Sequence, residues 1–212
     1  MLKKNRIWLT VIILSALPLV YSSISVLGSL LGSVPEDVTT GLINTGESLP
    51  LWERLHQQTG QWAIQMIVIT LSCTPISILS GSNRILRYKK VFGIYVFIYT
   101  ILHLSFYMAH YSFFEIFREM DLIVALIAAV IIIPLGLTSN KLSKRLLKQN
   151  WKKFHEFAYA AAIAAVLHVA LLGKGLWLTY AVILSIGFIL RIPAVEYFFR
   201  KGRTNYSIGP TL

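Results

Sequence analysis

Six long apolar stretches dominate this sequence, at about residues 7–31, 60–79, 91–111, 122–139, 157–173 and 176–195. A hydrocarbon core roughly 30 Å thick takes about 20 apolar residues per helix, so each stretch is long enough to span a bilayer. Only helices and closed barrels can cross lipid without leaving backbone polar groups unpaired, and uninterrupted runs of this length are helical in character. The expected fold is therefore all-α and integral to the membrane: a six-transmembrane-helix bundle forming a single domain over residues 1–212. The composition agrees, with 56% hydrophobic and 14% charged residues, where soluble domains carry about 25% charged.

The formal net charge of +11 would suggest nucleic acid in a soluble protein, but the placement of the charges excludes that partner. Lys3, Lys4 and Arg6 precede the first span, and Arg84, Arg87, Lys89 and Lys90 lie between the second and third. Lys141, Lys144, Arg145, Lys148, Lys152 and Lys153 lie between the fourth and fifth, and Arg200, Lys201 and Arg203 follow the sixth. Sixteen of twenty basic residues thus fall on one side, while Glu36, Asp37, Glu47, Glu53, Glu115, Glu119 and Asp121 fall on the other. The positive-inside rule then places both termini in the cytoplasm. Anionic membrane lipids are the natural contact of the basic face.

The first span follows a basic start as a signal peptide does, but its apolar run is too long for one, and it is read as retained. The stretch from about Gly32 to Thr59 is the longest polar piece and reads as an outer loop. Cys73 is the sole cysteine, which excludes an internal disulfide and reads as packing. No phosphate-binding glycine motif follows a strand, so the chain holds no nucleotide domain of its own.

Ionisable groups within the bilayer are costly and mark sites. At 1.5 Å rise per residue, His103 lies about 20 Å above the basic start of span three, and His168 about 23 Å above that of span five. Two imidazoles at matching depth on neighbouring spans form a natural axial pair for a b-type haem held in a bundle. Ala161, Ala164 and Ala165 would leave room on the helix face before His168, although such alanines also serve close helix packing.

His155, thirteen residues before His168, sits at the cytoplasmic end of span five. Its ring points roughly 140° away from that of His168 and lies about 20 Å below it, so the two cannot serve one cofactor. His155 would bind a second haem with a non-histidine or open sixth position, or contact a flavin or a propionate, or be an interfacial polar residue. His110 reads as interfacial, and His56 is placed in the outer loop without a role. Arg191 could meet a propionate or a flavin phosphate, but is read as a snorkelling arginine near a helix end.

Several pieces together resemble a known family. These are the T-G that opens span two and the T-P that closes it (Thr59, Gly60, Thr74, Pro75), the basic–G–aromatic–LH pattern ending at His103, the T-S of Thr138 and Ser139, and W-x-x-x-H at Trp151 and His155 with His168 thirteen residues on. Across roughly Leu55 to Leu171 they resemble the haem-binding membrane subunits of methionine sulfoxide reductase systems, the MsrQ/YedZ family of the ferric-reductase-like transmembrane group.

The resemblance implies a b-type cytochrome of the inner membrane. It would relay electrons from a cytoplasmic flavin reductase to a periplasmic molybdopterin methionine sulfoxide reductase, with FMN as an associated cofactor. By position, His103 and His168 match ligand histidines, and His155 matches a third histidine implicated in haem or flavin binding. The chain departs from the family in Phe117–Asp121, where an Arg-Pro-Tyr-like stretch is usual, and in its long outer loop. Such a subunit is an electron conduit rather than a complete enzyme. The rival readings are a ferric-reductase-like conduit with another acceptor, a haem-free small transporter in which His103, His168 and Arg191 titrate, and a cofactor-free scaffold.

Overall fold

The computed structural model describes residues 9–20, 23–24, 51–173 and 176–206, with the side chains of 200–206 left aside. Every regular element among them is helical: α1 (Leu9–Val20), α2 (Leu51–Ser80), α3 (Lys89–His110), α4 (Met120–Leu137), α5 (Lys141–Leu171), α6 (Trp177–Ile189) and α7 (Pro193–Tyr206). Short 3-10 turns at Ile85–Arg87 and Phe113–Phe117 lead into α3 and α4. Among the described residues, four helices are long and apolar enough to cross a membrane, α2 to α5, and a fifth crossing results if the bent pair α6 and α7 counts as one. The first expected span extends beyond α1 into residues outside those described, as do residues 32–50 of the outer loop and both chain ends.

Two expected boundaries differ. The second span begins at Leu51 rather than Gly60, so the last nine residues assigned to the outer loop are helical. Those residues, LWERLHQQT, are polar on average and escape a hydropathy reading, yet they carry Glu53 in the first helical turn, where a carboxylate favours the helix dipole. The sixth span does not run unbroken to Val195: α6 stops at Ile189, and α7 departs at 79°. Pro193 causes the break, because it has no N–H to continue the ladder and is well suited to open a new helix.

Short connections make consecutive helices antiparallel neighbours. α3 packs along α2, α5 along α4, and α6 closes the ring against α2 and α5, leaving α3 and α5 without substantial mutual packing. The shared core draws Met66 and Leu71 from α2, Tyr99 from α3, Ile132 from α4, Ala161 and Ala162 from α5 and Leu184 from α6. Tyr99 is wholly buried and donates its hydroxyl to the Ser15 carbonyl at 2.7 Å, while Tyr95 reaches that of Ile12 at 3.1 Å, which fixes α1 on α3. The hydroxyls matter because a phenol buried in an apolar bundle needs an acceptor.

Small residues set the helix spacings. A Cβ at Gly136 would fall 2.3 Å from Phe97 Cγ, so α3 and α4 approach through the missing side chain. Ala161 and Ala162 are the buried residues of α5, and here they serve packing in the small-residue manner of membrane helices. Lys148 (φ 47°, ψ −120°) interrupts α5. A non-glycine residue in left-handed territory is strained, and it separates the basic segment 141–147 from the long apolar arm carrying both His155 and His168.

Arg191 does not snorkel. At the α6–α7 break it turns inward, donates from Nη2 to the Leu71 carbonyl and lays its guanidinium 5.0 Å from the centre of the Tyr159 ring. Cys73 is buried with its thiol 3.3 Å from the Ile69 carbonyl, as a packing residue would be.

Candidate functional site

The candidate residues gather at the two ends of the helix pairs. At one end, the start of α2 meets the later part of α3. Thr59, wholly buried, returns its hydroxyl to the carbonyls of Leu55 at 2.7 Å and His56 at 3.0 Å. Beside it, Gly60 has no side chain because His103 occupies the space: a Cβ there would lie 2.7 Å from His103 Cε1. The Thr-Gly pair that opens span two is thus the floor of the His103 site.

His103 Nδ1 lies 2.8 Å from the backbone oxygen of His56. A carbonyl can only accept, so Nδ1 carries the proton and Nε2 holds the lone pair of the neutral ring. His168 repeats the arrangement on α5, with Nδ1 2.9 Å from the carbonyl of Asp121 in the first turn of α4. This is how metal-ligating histidines are usually oriented, by a second ring nitrogen donating to an acceptor outside the coordination sphere. The two imidazoles lie at the same end of the bundle, on helices that each pack against α4 rather than against each other. Each is held by a different neighbour, α2 for His103 and α4 for His168.

His155 lies at the opposite end, where α4 gives way to α5. The indole of Trp151 donates to the Thr138 carbonyl at 3.0 Å and stacks on His155 with ring centres 3.9 Å apart. His155 Nδ1 meets the Trp151 carbonyl at 3.1 Å, and its Nε2 meets the Ser139 hydroxyl at 3.3 Å. That hydroxyl also lies 2.7 Å from the Leu135 carbonyl, and its single proton can serve only one acceptor at a time. The Thr-Ser pair and W-x-x-x-H, separate in sequence, are therefore one unit in space. His155 thus has a protein group at each ring nitrogen, the Trp151 carbonyl at Nδ1 and the Ser139 hydroxyl at Nε2.

Sequence reasoning missed His56. It belongs to α2, with its ring stacked on His103 at 4.1 Å between centres and 11° between planes. Its signal was the i, i+4 relation to Gly60 within a helix hidden by its polarity. His110, read as interfacial, meets the Trp52 ring edge-on. Among the described residues, no three or more of His, Cys, Asp and Glu gather as a metal cluster; a bis-imidazole haem site calls for only two ligands.

The donor chemistry of His103 and His168 fits a haem. Each turns Nδ1 to a backbone carbonyl, the orientation a haem-ligating imidazole would need, and Gly60 clears the space for the His103 ring.

The chain is 32% identical over 121 residues to the protein-methionine-sulfoxide reductase heme-binding subunit MsrQ of Xanthomonas axonopodis pv. citri, covering 54% of this chain and 56% of that protein. It is 36% identical over 119 residues to the subunit of the same name from Rhizobium meliloti, covering 53% and 55%. The aligned part thus spans just over half the length of these relatives. A family model described as the ferric reductase like transmembrane component matches residues 54–166, the stretch holding both motif pairs just described, and the chain belongs to that family.

Proposed function

We propose that the protein is a b-type cytochrome subunit that carries electrons across the membrane, with His103 and His168 as axial ligands of an outer haem and His155 supporting an inner cofactor. The observation that carries the reading is the repeated backbone clamp: each ligand donates Nδ1–H to a carbonyl, at 2.8 Å from His56 and 2.9 Å from Asp121. Such a clamp fixes the tautomer before the metal arrives and raises the basicity of Nε2.

The haem supplies reversible one-electron chemistry at iron. The chain's own residues bind and orient it. His103 and His168 present Nε2, Gly60 keeps the His103 ring in place, and the apolar walls of the bundle exclude water. His155, about 20 Å further in along α5, supports a second haem or FMN facing the cytoplasm. The basic residues at that end, Lys89, Lys90, Lys144, Lys152 and Lys153, support a cytoplasmic inner end by the positive-inside rule, in keeping with an inner-membrane protein whose termini are both inside.

By analogy with the named relatives, the subunit serves a methionine sulfoxide reductase system, taking electrons from a cytoplasmic flavin reductase and giving them to a periplasmic molybdopterin catalytic subunit. The test is a dithionite-reduced minus air-oxidised spectrum of the purified protein from haem-supplied cells, repeated with that catalytic subunit added. A sharp low-spin α-band that the acceptor reoxidises is expected. A colourless protein would sink the cytochrome reading, and a band indifferent to the acceptor would leave another acceptor, such as ferric iron.

A further inference from the structure

Resting on the haem reading above, we propose that His56 is a positioning residue for the outer haem: stacked on His103 and in contact with Tyr107, it sets the plane of the His103 imidazole. Two separate contacts from one residue converge on His103. The backbone oxygen of His56 takes the Nδ1 proton at 2.8 Å, and its ring stacks on His103 at 4.1 Å with 11° between the planes. The His56 ring also meets Tyr107, one turn beyond His103 on α3, at 5.8 Å and 45°. His103 and Tyr107 therefore form a slot on α3 that receives the His56 side chain from α2.

The two contacts do different work. A single hydrogen bond at Nδ1 fixes the tautomer but leaves the ring free to rock about the bond. A parallel ring on one face removes that freedom, and Gly60 brings the backbone of α2 close to Cε1 on another side. The orientation of an axial imidazole and its outer hydrogen bonding are levers on the iron's electronic structure and potential. His56 thus holds by its side chain what its backbone alone does not.

The division of labour makes the proposal testable, because side-chain substitution keeps the carbonyl. His56→Leu, His56→Phe and wild type are compared as full-length protein for haem content per chain, for the low-temperature electron paramagnetic resonance spectrum of the oxidised form, and for midpoint potential by redox titration. His56→Leu is expected to keep its haem while its lowest-field g value and its potential move away from wild type. His56→Phe, which restores a flat ring, is expected to bring both back toward wild type.

His56→Gln provides the ringless comparison if the leucine variant does not accumulate. An unchanged g value and potential in the ringless variant overturn the proposal while leaving the haem reading intact. So does loss of haem in it together with retention in His103→Leu, since His56 would then be the ligand. Wild-type protein without low-spin haem removes the haem reading itself, and this proposal with it.

Discussion

Arg191 donates to the backbone carbonyl of Leu71, the one carbonyl in α2 that Pro75 leaves without its helical donor. A proline at position i has no N–H for residue i−4, and an orphaned carbonyl in an apolar bundle carries a desolvation cost. The guanidinium is available because α6 ends at Ile189, which brings residue 191 against α2 in place of another helical turn. Two helix defects, a proline in one span and a break in another, therefore satisfy each other.

Removing one partner should expose the other. Arg191→Met is expected to destabilise the protein by about 1–3 kcal/mol, as for other buried polar groups left unpaired. In a Pro75→Ala background, where the substitution returns a backbone N–H to the Leu71 carbonyl, the loss of Arg191 should cost less. Thermal unfolding of the four proteins in one detergent gives the coupling directly. Equal losses in both backgrounds would mean that Arg191 acts through the Tyr159 ring instead.

The floor of the His103 site predicts a contrast between two glycines. Gly60→Ala sets a methyl 2.7 Å from His103 Cε1, whereas a Cβ at Gly93 meets only Thr70 Cγ2 at 3.9 Å. Gly60→Ala should lower haem content several-fold by displacing the ligand ring, and Gly93→Ala should leave it near wild type. Haem absorbance normalised to protein checks both. Equal content in the two variants would show that the ring has room to yield.

The three histidines should separate by phenotype. His103→Ala and His168→Ala are each expected to abolish the low-spin α-band. His155→Ala should retain that band yet slow its reduction by a cytoplasmic-side donor by about tenfold or more, as loss of a cofactor partner does. Stopped-flow reduction in oriented vesicles measures the rate, and full-speed reduction would make His155 structural.

At the inner end, Trp151 links the end of α4 to His155. Trp151→Phe keeps a ring for stacking but loses the donation to the Thr138 carbonyl, with an expected cost of about 0.5–1.5 kcal/mol. It should also slow electron entry less than His155→Ala does. A variant as slow as His155→Ala would place the indole N–H itself in the transfer path.

Much of this was legible because long apolar runs leave helices as the ready solution in lipid. His103, His168 and His155 stood out for the same reason, since polarity against an apolar background is conspicuous. What stayed hidden was polarity in polar company. His56 sits in the amphiphilic first turns of α2, where hydropathy sees a loop although Glu53 favours a helix. The break before Pro193 was visible as a proline, but the contact between Arg191 and Leu71 that it allows was not. The pairing of Trp151 with Thr138 is a tertiary fact with no local signature.

α4 and its end reach both histidines of α5: Asp121 in its first turn holds His168, and Ser139 just past its last turn meets His155. It therefore works as a ruler laid between the two histidines. Changes in the loops before α4 or after α5 would leave this spacing unaltered, because both contacts are made from α4 and the residues just beyond its end. One residue inserted in the middle of α4 would add about 1.5 Å and rotate one end against the other by about 100°, so that only one of the two histidines could keep its partner.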